Sequence, residues 1–174
     1  MVRTEGKLES LMESFERIWN EHSQDVWRFA RWLSGDPVLA DDLCAEAFAR
    51  AWAGGPRIET KTIKAYLLAI VRNLYLKTRR AAGRQIDLDP GAGAVEPAPD
   101  PEQRAAARNE AELAAAALRL LPEGERAALL LRSIEELSFK EIGRCLGITE
   151  VAARVRVHRA RLKLAESLRK GSRS

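Results

Sequence analysis

SFKEIGRCLGITEVAARVRVHRARLKLAESL, running from Ser138 to Leu168, has the layout of a helix-turn-helix. Ser138 is placed to cap a first helix, and Glu141 three residues on completes a capping box. Ile142 and Leu146 share one face at i, i+4. Gly147 is the residue best suited to the left-handed conformation that ends a helix. Ile148 plugs the turn, and Thr149 is a cap for the second helix. There Ala153, Val157, Ala160 and Leu164 form one inward stripe. Arg154, Arg156, Arg159, Arg161, Lys163, Arg169 and Lys170 oppose only Glu150 and Glu166. A cationic helix after a short glycine turn suits the major groove and its phosphates. A charge run alone would be a solvated surface; the capped first helix and the small core residues beside the turn favour DNA.

Upstream, helical spacing predicts an amphipathic helix over residues 8–22 (Leu8, Leu11, Phe15, Ile18, Trp19) and a second from about Asp25 to Leu33, stopped by Gly35. Asp36-Pro37 is a cap followed by proline at the first helical position, opening a third helix to about Trp52 with Leu39, Leu43, Ala47, Phe48 and Ala51 inward. Gly54-Gly55-Pro56 breaks it. A fourth helix follows, about Thr62 to Arg80, with Ile63, Tyr66, Leu67, Ile70, Val71 and Leu74 inward. Asp100-Pro101 repeats the cap signal and starts a helix to Leu121; Pro122 begins another to about Ile134. No run alternates with period two, so strands are not expected. The fold class is all-α: an N-terminal helical bundle and a C-terminal helix-turn-helix domain.

The 174 residues carry a net charge of +4, unevenly placed. Between Thr60 and Ile86 lie Lys61, Lys64, Arg72, Lys77, Arg79, Arg80 and Arg84, with no acid. Between Gln85 and Gln103 lie Asp87, Asp89, Glu96, Asp100 and Glu102, with no base. That second segment also holds Pro90, Pro97, Pro99 and Pro101, a composition that neither packs nor sustains a helix. It reads as a flexible acidic linker, 85–103, joining domains 1–84 and 104–174. No apolar run is long enough to cross a bilayer, and no leader is apparent. Cys44 and Cys145 are expected as buried free thiols of a reducing cytoplasm. They and His22 and His158 lack metal-ligand spacing, so neither metal nor cofactor is expected.

No phosphate loop or nucleophile arrangement emerges, which argues against an enzyme. Asp41 and Asp42, adjacent on a helix, diverge, and with Glu46 they suit a solvated or partner-facing edge better than catalysis. The fourth helix ends in RNLYLKTRR, Arg72 to Arg80, where cations interleave with Tyr66, Tyr75 and Asn73. Basic groups among aromatics suit unpaired bases, whose stacking contributes roughly 1–3 kcal/mol each.

In order along the chain, ADDLCAEAFARAW (40–52), AYLLAIVRNLYLKTRR (65–80), LPEGERAALLLRSIEELSFKEIGRCLGI (121–148) and HRARLKL (158–164) resemble the extracytoplasmic-function (ECF) group of bacterial sigma-70 family sigma factors. The resemblance implies a promoter-recognition subunit of RNA polymerase, in the cytoplasm, with no small-molecule substrate. Region 4 would read the −35 element through Thr149, Arg154, Val155, His158 and Arg159, and lie near the β flap. Region 2 would melt and hold the −10 element through Arg57, Ile58, Lys61, Arg72, Asn73, Lys77, Arg79 and Arg80. Asp41, Asp42, Glu46 and Arg50 would grip the β′ clamp helices. The linker would follow the RNA exit path, and an anti-sigma factor would hold the protein inactive. Ala45 stands where the family usually has Gln, and Lys77 where an acid is usual.

Val151, Val155, His158 and Leu162 make a second stripe opposite the inward one. An apolar outward stripe needs a cover: thymine methyls, an anti-sigma partner, or region 2 folding back. Two other readings compete: a stand-alone operator-binding regulator whose residues 1–84 dimerise or sense, and a helical protein-interaction adaptor.

Overall fold

The computed structural model describes residues 2–54, 63–83 and 111–171, with side chains from residue 12 onward in the first segment and through 170 in the last. Among these residues every regular element is helical. Helix α1 spans Val2–Ser34, α2 Pro37–Ala53 and α3 Ile63–Ala82; residues 111–119 form α4; α5 spans Glu123–Ser133, α6 Phe139–Leu146 and α7 Glu150–Gly171.

The local signals form as expected. Asp36 Oδ1 accepts from Val38 and Leu39 N–H, and Pro37 takes the first turn of α2. Ser138 and Glu141 close the capping box, and Gly147 takes φ 65°. Ala152 N–H donates to Thr149 Oγ1 at 3.1 Å. One boundary differs. The two helices expected over 8–22 and 25–33 are a single α1, because His22, Ser23 and Gln24 are polar but include no helix breaker. The start expected at Asp100-Pro101 lies outside the described residues, as does the linker.

Helices α1, α2 and α3 pack into one bundle around Phe29, Leu33, Phe48, Leu67 and Val71, all buried. Phe15 and Trp19 of α1 meet Trp52 and Phe48 of α2, at centroid separations of 5.0 and 4.6 Å. Helices α5, α6 and α7 form the second unit around Leu131, Ile142, Ala153 and Val157. The expected stripe of α7 is buried, with Leu164 partly so.

The two units are not separate. Helix α3 packs against α6 and α1 against α5, so one apolar core runs through both. This changes the inward face expected of α3. Tyr66 is 41% exposed, whereas Leu68 and Tyr75 are buried. Lys64, Leu68, Arg72 and Tyr75 recur at helical spacing on a second face, and three of them bond the other unit. Lys64 Nζ sits 2.9 Å from Glu135 Oε2. Arg72 donates twice to Glu123, at 2.8 and 2.9 Å. Buried Arg126 donates to Tyr75 Oη at 3.0 Å. The Cys145 thiol donates to Ala65 O at 3.1 Å.

Glu135 is the centre of this seam. Its side chain has 0% exposure, and Arg28 approaches it at 3.1 Å from α1. Asp25 shares both cations, at 2.8 Å from Arg28 and 2.7 Å from Lys64. Glu136 next to it takes a left-handed φ of 57°, and Leu137 N–H returns to Leu131 O at 3.0 Å, turning the chain sharply after α5. Burial alone would raise the Asp25 carboxyl, but hydrogen bonding and charge from Lys64, with Arg28, hold it below its ordinary 3.8. Burial alone would lower Lys64, but Asp25 and Glu135 raise it above 10.5.

A Cβ on Gly143 would lie 2.8 Å from Ile148 O, at the crossing of α6 and the turn. Gly143→Ala should therefore destabilise the fold by on the order of 1 kcal/mol and lower the melting temperature, even though alanine is worth about 1 kcal/mol more than glycine within a helix. A rise on thermal unfolding would show that the turn yields.

Glu135→Ala should cost about 1–3 kcal/mol, less than a fully buried pair, because Arg28 and Lys64 are 41% and 26% exposed. The depressed Asp25 contributes above its unfolded value and loses that contribution as pH falls through its folded one. The raised Lys64 contributes below 10.5 and loses its part as pH rises beyond that. The melting-temperature gap between wild type and Asp25→Asn should be constant near neutrality and shrink below pH 3.8. A gap unchanged into acid would remove Asp25 from the seam.

Candidate nucleic-acid interface

Helix α7 presents opposite faces to protein and to solvent. On the inner side Lys163 Nζ meets Glu125 at 2.8 Å, and Arg156 lies against Gly124 at the start of α5. On the outer side Thr149, Arg154, Val155, His158 and Arg159 are all exposed. Thr149 uses its hydroxyl as the cap and its carbonyl to accept from Ala153 N–H, so its methyl remains for a ligand. Arg154 pairs with Glu150 at 3.3 Å. The stripe of Val151, Val155 and Leu162 is bare, Val151 at 71%. The N-terminal unit does fold back on the C-terminal one, but onto α5 and α6. Of the three covers considered for the stripe, the N-terminal unit is therefore not one here.

Residues expected at the −10 element divide. Asn73, Lys77, Arg79 and Arg80 are exposed along α3. Arg72 is not free: Glu123 holds it in a bidentate pair of low exposure. Tyr75, expected beside them as a stacking surface, is buried against Arg126; of the expected aromatics, only Tyr66 offers a ring to solvent. Arg57, Ile58 and Lys61 lie outside the described residues.

On α2, Asp41, Asp42, Glu46 and Arg50 are all exposed, while Leu43, Cys44, Ala47 and Phe48 between them are buried. The acids thus form a solvent edge. Trp27 Nε1 donates to Asp41 at 2.6 Å, and Arg50 pairs with Glu46 at 2.6 Å, so three of the four side chains have partners. Asp42 has no such partner among the described residues.

Both cysteines are buried and free. Burial, with Asp41 nearby, pushes Cys44 up to about 11; burial, with Glu141 nearby, pushes Cys145 up to about 12. Neither is a nucleophile at neutral pH. No helix among the described residues is long and apolar enough to cross a membrane.

The seam residues Asp25, Arg28, Glu123, Arg126 and Glu135 carried no sequence signal of their own. Glu135 lies 107 positions from Arg28, and Arg126 lies 51 from Tyr75. The one trace was the α3 repeat of Lys64, Leu68, Arg72 and Tyr75, which reads equally as a basic surface.

Two family models match this chain. Residues 18–85 match the family model "Sigma-70 region 2" and residues 111–164 match "Sigma-70, region 4". The ECF RNA polymerase sigma factor SigE of Mycolicibacterium smegmatis is 35% identical over 170 residues, 94% of this chain. The chain spans 65% of that protein's length. The ECF sigma factor EcfG of Rhodopseudomonas palustris is 33% identical over 141 residues, covering 80% of this chain and 77% of that protein. The fold is similar to that of the sigma factor RpoE in its co-crystal with the anti-sigma factor NepR from Bartonella quintana. The TM-score is 0.75 at 24% identity, over 90% of this chain and 98% of that one. With region 2 on the bundle and region 4 on the helix-turn-helix, the chain belongs to the extracytoplasmic-function group of the sigma-70 family.

Proposed function

We propose that this protein is a promoter-recognition subunit of bacterial RNA polymerase, acting in the cytoplasm and catalysing no reaction itself. The observation that carries this is the outer face of α7: a fully capped helix-turn-helix leaves Arg154, Val155, His158 and Arg159 exposed together, in position to read a −35 element as duplex. Asn73, Lys77, Arg79 and Arg80, with the loop residues Arg57, Ile58 and Lys61, would hold the melted −10 strand. Phosphate attraction and stacking would do the holding, since neither needs a base-pair edge. Asp41, Asp42, Glu46 and Arg50 would meet the β′ clamp helices, and region 4 the β flap. Residues 85–103 would link domains 1–84 and 104–174 along the RNA exit path.

Arg72 gives the mechanism a step. While Glu123 holds it, it cannot serve a phosphate. Binding core polymerase would part α3 from α5, exposing Arg72 and Tyr75 at the −10 surface as the two domains separate. An anti-sigma factor would favour the closed form or cover the Val151, Val155 and Leu162 stripe; on promoter DNA the same stripe would meet thymine methyls. A stand-alone regulator is not favoured, because the half it would use to sense or dimerise matches sigma region 2.

Core polymerase capture followed by run-off transcription tests this reading. Asp42→Arg should weaken capture by about 2–5 kcal/mol if its contact is desolvated, with unfolding unchanged because the side chain is exposed. Arg159→Ala should leave capture intact and reduce −35-dependent transcription about 5- to 150-fold. Wild-type chain that fails to bind core, or binds an operator alone as a dimer, would overturn the proposal.

A further inference from the structure

Phe139, the first residue of α6, carries two guanidinium groups over its ring. Arg132 Cζ lies 5.0 Å and Arg154 Cζ 5.1 Å from the ring centroid. They come from different helices and differ in freedom. Arg132, in the last turn of α5, is anchored by its Nη1–H to Leu137 O at 2.9 Å. Arg154 stands on the outer face of α7 with 65% of its side chain exposed. Its other partner is Glu150, one turn back, in a surface pair at 3.3 Å. Such a pair orients a long side chain weakly. The ring is the firmer guide: it is half-buried, packed against the core and fixed at a capped helix start. Its π face attracts a guanidinium and so restricts where that group sits.

We propose that Phe139 is a positioning residue for −35 recognition: its ring sets the orientation of the Arg154 guanidinium, and so the discrimination Arg154 exerts at one base pair. This rests on the reading of α7 as the −35 helix. An arginine reads guanine through two parallel hydrogen bonds, which require its plane to lie in the plane of the base. An unguided arginine adopts that geometry from many rotamers; one held at a ring starts from few. Phe139 therefore acts on sequence choice without touching a base.

The experiment uses the full chain assembled with core polymerase and a set of promoters bearing single changes across the −35 element. Arg154→Ala should abolish discrimination at one base pair. Phe139→Leu keeps an apolar side chain at the site and removes the π face; it should reduce discrimination at that same pair about two- to five-fold, the range expected for an exposed cation–π contact. Phe139→Tyr, which keeps the ring, should restore the wild-type profile. In the Arg154→Ala background, Phe139→Leu should change discrimination no further. Phe139→Met serves the same comparison if the leucine variant melts below the assay temperature.

Each contrary result is decisive. If Arg154→Ala alters no −35 preference, the reading of α7 fails and the positioning role fails with it. If Arg154→Ala acts and Phe139→Leu leaves the profile intact, only the positioning role is overturned. If Phe139→Leu weakens all promoters alike, or does so equally without Arg154, the ring is packing alone.

Discussion

A carboxylate with no exposed side-chain surface, Glu135, needs cations beside it, and here they come from the other half of the chain: Arg28 from α1 and Lys64 from α3. Removing charge from water is costly, and only close, well-hydrogen-bonded partners offset it. This group sits just after α5, where Glu136 turns the backbone through a left-handed conformation. The turn, the carboxylate and the two cations together fix how α5 and α6 meet the N-terminal bundle. Arg72–Glu123 and Arg126–Tyr75 extend the contact toward the far end of α3. Ionic groups make such a seam specific in geometry without making it strong, because the exposed ends of Arg28 and Lys64 keep their attraction partly screened.

Helix α3 has two claimants on the proposed function. One face lies in the bundle; a second carries Lys64, Leu68, Arg72 and Tyr75 against the C-terminal unit. Arg72 can serve Glu123 or a phosphate, and Tyr75 can lie against Arg126 or a base. Under the proposed function the closed partner would imitate the ligand in each case: the Glu123 carboxylate standing where a phosphate would, and the planar Arg126 cation where a base would. Asn73, Lys77, Arg79 and Arg80 stay exposed throughout. They would supply non-specific attraction in either state, leaving the sequestered pair to make the difference between closed and open.

What the sequence revealed follows the range of the interactions. Caps at Asp36, Ser138 and Thr149 and the glycine stop at Gly147 are satisfied within a few residues, so residue order alone announced them. The helix-turn-helix and its inward stripe were legible for the same reason, as was the acidic edge of α2. The continuous α1 was misread because a polar stretch resembles a loop until the lack of a glycine or proline is weighed. Tyr66 and Tyr75 exchanged places, since amphipathic periodicity presumes one buried face and α3 has two. Glu135 and Arg126 were invisible: a buried charge looks like a surface charge until its distant partner is known.

The charge on α7 also looks different once its partners are placed. By composition the helix is a dense run of cations. In the fold, Lys163 serves Glu125, Arg156 lies against the start of α5, and Lys170 serves Glu166. Arg154 is shared between Glu150 and the Phe139 ring. Arg159 and Arg161 are exposed, with no ion pair among the described residues. Only cations that neutralise phosphates release counterions, and each adds about 0.9 to the salt dependence of binding. With Arg156 and Lys163 drawn toward α5, the helix is a somewhat weaker electrostatic ligand for DNA than a count of its cations suggests. Weak attraction is an asset for a reader of promoters, because it limits residence on random DNA and leaves selection to oriented groups. On this account the ordered placement of Arg154 matters more than the number of arginines around it.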